Sequence, residues 1–365
     1  MSNYSFACVG QAGGNLGALA ARHGAPVVCI NSSEEDLSLL PSEIAKVHLV
    51  GGEGCHKNHQ LAATLYDINY NKVLNTCAEV LDSRVVFVVG SLGGGTAGGS
   101  LPLLVQDLIE QYEDKYEAER KQYNEAVEED PTIVIPIPKK TIVCVIGILP
   151  SLSESPRVNG NAYSSINKLR AIEGLGQIFL IDNETSIKSF NEINFLFMNQ
   201  LWDFLSIPER DRDENGNFDF SEMMELLACP GFGVFCCKEG MGATDDSVIA
   251  GLKASNIFPS FNADARAKFL GISCTRKSDI EAYNKAFGPF YDYQHTYNKN
   301  GIYAMLVGLP APTDRLELMK ERYLESERVK TKEAAIDTSI DAAQFDEPEV
   351  KSVTKSARRE RKRTI

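Results

Sequence analysis

Residues 90–99 place glycine at 90, 93, 94, 95, 98 and 99, with the hydroxyl residue Thr96 at their centre. Glycine leaves backbone N–H groups unscreened and free to take positive φ, so such a loop can wrap an anion where a helix begins. A nucleotide phosphate is the natural ligand. The loop follows the apolar run Arg84–Val89 and precedes a helical pattern from Leu101, which reads as strand, loop, helix. A flexible linker would not ordinarily interrupt a β-branched strand and an amphipathic helix in this way. The stretch lacks the Lys-Ser/Thr ending of a P-loop, which excludes Walker A.

A second constellation runs from Asp213 to Glu222, with Asn217, Asp219 and Glu222 spaced ahead of an apolar helical pattern. Carboxylates there can cap the helix. A calcium loop is a poor fit, because alternating ligands and a twelfth-position glutamate are missing. Cys55, His56 and His59 supply three potential zinc ligands with no fourth nearby. They are expected to be loop histidines or a capping cluster, with no metal held by protein ligands alone.

The elements that must position these groups alternate strand and helix. Tyr4–Val9 reads as a first strand, and Gly10–Gly17 turns it into a helix ending near Arg22. A Rossmann unit begins the same way, but the next strand ends in Asn31, where a NAD site would want Asp or Glu. Val47–Val50 leads into a further glycine turn, Gly51–Gly54. A long helix from Leu101 to about Glu129 has a charged, solvated far half. Strands follow at Thr141–Ile148 and Gln177–Asn183, then a helix over about 187–207 with Phe195 and Asn199 one turn apart on a single face. For Phe195 alone an ordinary core position is the simpler expectation. Strands around 231–237, 270–273 and 303–308 describe a second α/β lobe, and a charged helix spans about 313–335.

The 365 residues are 43% hydrophobic and 24% charged, enough for a large core. No apolar run approaches the roughly 20 residues that span a bilayer, and no basic-then-apolar leader opens the chain, so a cytoplasmic location is expected. Nine cysteines without C-x-x-C spacing fit reduced core thiols. The net charge of −13 argues against general nucleic-acid coating, yet residues 355–363 are basic.

The stretch Gly93-Gly94-Gly95-Thr96-Ala97-Gly98-Gly99 resembles the GGGTGSG signature of the tubulin/FtsZ superfamily, with departures at Ala97 and Gly98. At Ala97 a Cβ penalises positive φ. Asn217-Phe218-Asp219-Phe220-Ser221-Glu222 resembles the same family's N-x-D-x-x-D loop, with Glu222 in place of the final Asp. The resemblance covers about residues 1–310. It implies a Rossmann-like GTPase domain with a parallel sheet (1–185), a central helix (186–210), a smaller α/β domain carrying the acidic loop (211–310), a C-terminal helix (311–336) and a disordered basic tail (337–365).

It also implies GTP/GDP and Mg²⁺ as ligands. Gln11, Ala12, Gly13, Gly14 and Asn15 would approach the phosphates, and Asn31 would lie near the metal and γ-phosphate. Gly51–Gly54 resembles the loop that senses the γ-phosphate. Glu154 would hold the ribose, Asn183 the guanine, and Phe195 with Asn199 would stack on and hydrogen-bond the base. Asn161 joins the same nucleotide set, and Arg157 stands one step from the family's partner arginine. Asp219, Glu222 and Asn217 of the next subunit in a homopolymer would complete the catalytic site.

The terminal helix and basic tail look most like the plasmid- or phage-borne DNA-partitioning type, TubZ, working through a DNA-bound adaptor and without a membrane. Alternatives are a cell-division FtsZ-like or phage-positioning homologue, a monomeric NAD-dependent dehydrogenase, and a non-catalytic DNA-binding protein.

Overall fold

The computed structural model describes residues 3–184, 189–211, 213, 214, 216 and 218–336. Asn217 and the basic tail, 337–365, lie outside the described residues, as does the start of the expected central helix at 186–188.

Near-continuous runs of β-branched and aromatic residues fold as parallel strands buried on both faces. The first half comprises β1 (Tyr4–Val9), α1 (Gly10–Arg22), β2 (Val27–Asn31), α2 (Glu34–Ser38), β3 (Ala45–His48), α3 (His59–Ile68), α4 (Tyr70–Val80), β4 (Val85–Ser91) and α5 (Thr96–Glu129). It continues with β5 (Ile142–Leu149), α6 (Pro156–Arg170), β6 (Gln177–Asp182), α7 (Phe190–Leu205) and α8 (Ile207–Arg210). Then come α9 (Phe220–Ala228), β7 (Gly231–Glu239), α10 (Asp245–Lys253), β8 (Phe269–Cys274), α11 (Ile280–Phe287), β9 (Asp292–Tyr297), β10 (Gly301–Leu309) and α12 (Thr313–Ile336).

The strands form one ten-stranded sheet in the order β3-β2-β1-β4-β5-β6-β7-β10-β8-β9. Pairing is parallel from β3 through β7, antiparallel on both sides of β10, and parallel again between β8 and β9. The two expected α/β lobes therefore share a sheet, joined where Gln177, Ile178 and Phe179 of β6 pair with Gly231, Phe232 and Gly233 of β7. Met1–Leu324 form one compact unit and Glu325–Ile365 fall in a second. Among the described residues no helix is long and apolar enough to cross a membrane.

Helix α5 starts at Thr96, earlier than the expected Leu101, and carries Pro102 inside it. A proline there cannot donate to the carbonyl of Gly98. Ser165 takes that carbonyl instead, its Oγ donating at 2.9 Å, so the helix continues without an orphaned acceptor.

Candidate nucleotide site

Strands β1 and β4 lie side by side, Val9 opposite Gly90, and β2 flanks β1 on its other side. The strand order reverses direction here, and ligands of α/β sheets bind outside the carboxyl ends of strands at such a point. Helices α1 and α5 both begin at this edge. Their N-cap residues, Val9 and Gly95, make no side-chain capping bond, so the first-turn N–H groups have no capping side chain. Two such helix ends favour an anion between them.

Gly10 takes φ +72 where β1 turns into α1. Ala97 needs no such freedom. It sits buried in the first turn of α5, and its Cβ fills the space a side chain on Gly90 would claim, 2.7 Å from an ideal Cβ there. The non-glycine residues at positive φ are His56 and Lys57 instead, among the described residues. Gly13 and Gly14 lie within α1. A Cβ on Gly13 would stand 2.6 Å from the Val89 carbonyl oxygen, so its identity is required by the helix–strand approach.

Three loops are tied together around Thr96. Its Oγ1 lies 2.8 Å from Ser32 Oγ and 3.5 Å from Asn31 Oδ1, while Asn31 Nδ2 donates to Asp36 Oδ2 at 3.0 Å. Cys55 Sγ donates to Ser32 Oγ at 3.3 Å, and the Gly54 N–H donates to the Ser32 carbonyl. Thr96, Asn31 and Asp36 offer oxygen ligands with a single carboxylate, a set that suits Mg²⁺ completed by phosphate and water. Gln11 and Asn15 are exposed on α1.

His59 has a structural task that its sequence position did not reveal. Its Nε2 lies 3.1 Å from the Gly94 carbonyl oxygen, which requires that nitrogen to carry the proton. Gly98 and Gly99 make room for it, since an ideal Cβ would fall 2.1 Å from His59 Nε2 and 2.3 Å from its carbonyl oxygen, respectively. Burial first, and the Lys168 charge second, lower its pKa from 6.5 to about 4. Below pH 6.5 the unfolded chain gains a proton that the folded chain refuses until about pH 4, so stability should fall as pH drops through that window and stay flat above it. Thermal melts from pH 7 to pH 4.5 check this, and His59→Gln should flatten the slope. An unchanged slope in that variant would reject the assignment.

The next two strand ends supply the other nucleotide candidates. Glu154 is half-buried and accepts the Ser151 N–H at 3.0 Å. Asn161 donates to the carbonyls of Lys57 at 3.0 Å and Gly93 at 3.4 Å, which braces the glycine loop. Asn183 follows β6, its N–H bonded to the Leu149 carbonyl. Glu184 accepts from Ser151 Oγ at 2.7 Å and the Leu152 N–H at 2.6 Å, and these bonds, Ser151 first, hold its carboxyl below the usual range. Arg157 is exposed. Phe195 is 54% exposed, so it is no ordinary core residue, and Asn199 lies one turn on.

The acidic loop stands at the opposite end of the sheet. Asp219 caps α9, accepting the N–H groups of Ser221 at 2.8 Å and Glu222 at 3.0 Å, while Glu222 Oε2 accepts the Asp219 N–H at 2.8 Å. This reciprocal capping box orders both carboxylates. Phe220 packs edge-on against Tyr4 at 5.9 Å, and Tyr4 is the first residue of β1. The glycine turn follows the last residue of that strand, roughly 20 Å away at the usual rise per residue. Burial first, and the nearby charges of Asp219, Glu225 and Asp292, raise the pKa of Glu222 against the bond it receives from the Asp219 backbone.

A solved structure of Clostridium botulinum phage c-st TubZ, truncated at its C-terminal tail, superposes with a TM-score of 0.71 at 22% identity, covering 90% of this chain and 98% of that one. This chain has the tubulin/FtsZ superfamily fold. A GTPγS-bound protofilament of CetZ2 from Haloferax volcanii is similar at TM-score 0.67 and 20% identity, over 90% of this chain and all of that one. Among curated proteins, the tubulin-like protein CetZ of Pyrococcus abyssi is 25% identical over 239 residues, 61% of this chain. The match spans 57% of that relative's own length. No protein-family model matches the chain. The tubulin/FtsZ resemblance read from the glycine loop thus holds at the level of fold.

Proposed function

We propose that this tubulin-like chain is a GTP-dependent, filament-forming GTPase whose active site is completed between successive subunits. The observation that carries this reading is the separation of the glycine loops and the acidic α9 capping box to opposite ends of the parallel strands. A head-to-tail contact between copies brings unlike ends together and, if the rotation does not close, propagates as a filament.

In this reading one subunit cradles the nucleotide. The first-turn N–H groups of α1 and α5 bind the phosphates, Thr96 orients them, and Glu154, Asn183, Phe195 and Asn199 select ribose and base. Thr96, Asn31 and Asp36 would hold Mg²⁺, which would neutralise phosphate charge. The next subunit presents Asp219 and Glu222 to orient or polarise the attacking water. The raised pKa of Glu222 makes its carboxylate a stronger proton acceptor than an ordinary glutamate once ionised.

A split site makes activity depend on assembly. GTP turnover per subunit should rise steeply above a critical protein concentration, with filaments appearing in electron micrographs of the same samples. A flat curve of specific activity against concentration would reject the split site.

The likeness to TubZ and the basic residues 355–363 support a finer reading, in which the filament moves plasmid or phage DNA through a DNA-bound adaptor. The similarity to CetZ proteins supports a second subtype, a tubulin-like filament without that cargo.

A further inference from the structure

Arg315, in the first turn of α12, is 133 residues from Asp182 in sequence, yet the two form a buried bidentate ion pair. Nε donates to Oδ2 at 2.8 Å and Nη2 to Oδ1 at 3.1 Å, with side-chain exposures of 7% and 0%. Nη2 also donates to the Pro150 carbonyl at 2.5 Å. One guanidinium thus grips the ends of two adjacent strands, β5 and β6. Pro150 opens the loop that carries Glu154, and Asp182 immediately precedes Asn183.

The grip extends through both loops. Asp182 Oδ1 accepts the Glu184 N–H at 3.0 Å, and Glu184 in turn accepts from Ser151 and Leu152. Within the first compact unit, Lys320 and Tyr323 of α12 also approach α6, the helix that follows the Glu154 loop. Gly160 leaves room for the Tyr323 ring, which would lie 2.5 Å from a Cβ at that position, and Lys320 Nζ sits 6.0 Å from the Tyr163 ring centre. A buried charge is costly to strand alone, so this pair holds its geometry only while both partners are present.

We infer that Arg315 is a positioning residue of the nucleotide site, fixing the ribose and base loops from the C-terminal helix and coupling that helix to nucleotide affinity. The inference rests on the nucleotide reading above. Pre-set loops bind a nucleotide without first being ordered, and a displaced loop loses affinity and selectivity together. Glu154 and Asn183 are the groups affected, whereas the phosphate loops after β1 and β4 receive no bond from Arg315.

The test compares the full chain with Arg315→Gln and Arg315→Lys, the lysine retaining the charge but not the fork. Fluorescent GDP and inosine diphosphate binding is measured well below each variant's Tm, beside amide hydrogen exchange without nucleotide. Arg315→Gln should weaken GDP binding about tenfold or more. It should also narrow the preference for guanine over hypoxanthine and speed exchange at residues 151–154 and 183–184, leaving 10–14 unchanged. Arg315→Lys should fall between it and the native protein. A Tm decrease alone, with native affinity, selectivity and loop protection, would overturn the inference. Native protein that binds no guanine nucleotide overturns the nucleotide reading and the affinity role together. Faster exchange at both loops would then still support Arg315 as their clamp.

Discussion

Asp219→Asn and Glu222→Gln are each expected to slow GTP hydrolysis by about 10²-fold or more at unchanged GTP affinity, the usual scale for a positioned acid or base. The choice of amides follows from the capping box, in which Asp219 accepts two backbone N–H groups and Glu222 returns one bond. Asparagine caps a helix about as well as aspartate, and glutamine serves the third position of a capping box. The isosteric amides therefore keep α9 in place while removing the charge that would act on water. Asp219→Ala, by contrast, removes cap and charge together and should also lower stability by about 1 kcal/mol.

Comparing the three variants separates the two roles of the loop. Single-turnover hydrolysis, GTP binding and melting temperature are the measurements, and under the proposed split site, in which hydrolysis releases the filament, filaments of the amide variants should persist. Native turnover in both amide variants would show that the carboxylates serve α9 alone. Loss of GTP binding would instead place the acidic loop within the binding site, against its distance from the glycine turns.

Deleting residues 351–365 is expected to abolish salt-sensitive recruitment of a DNA–adaptor complex while polymerisation and GTP turnover stay near native levels. Lys355, Arg358, Arg359, Arg361, Lys362 and Arg363 are opposed only by Glu360 in residues 355–363 of a chain whose net charge is −13. Such an arm can grip phosphate directly or an acidic face of the adaptor, and either contact weakens as salt rises. One arm per subunit multiplies a weak contact into avidity along a polymer. Co-sedimentation of filaments with the complex at increasing salt is the measurement. Undiminished recruitment by the truncated chain would sink the DNA-moving reading and leave the filament and its GTPase standing.

Much of this molecule is written locally. The runs at Tyr4–Val9, Val27–Asn31 and Gln177–Asp182 are legible as strands because parallel strands are apolar on both faces, and their ends are marked by glycine or Asn. The glycine loop is equally local, since backbone freedom at one turn is set by the residues of that turn. Strand β9 is not legible in the sequence, because Asp-Tyr-Gln-His-Thr-Tyr at a sheet edge lacks an apolar run. Helix α5 began earlier than its pattern suggested, because Ser165, from a distant helix, satisfies the carbonyl that Pro102 leaves without its helical donor.

Only the tertiary structure decided where the chemistry stands. Composition and spacing place Asp219 and Glu222 in one motif, but not at the far end of β1 from the glycine turns; that follows from the packing of Phe220 on Tyr4. The roles of His59 and Arg315 depend on partners 35 and 133 residues away, Gly94 and Asp182. A hydrogen bond or buried charge is satisfied by whatever the fold brings near it, and no local pattern in the chain encodes that neighbour.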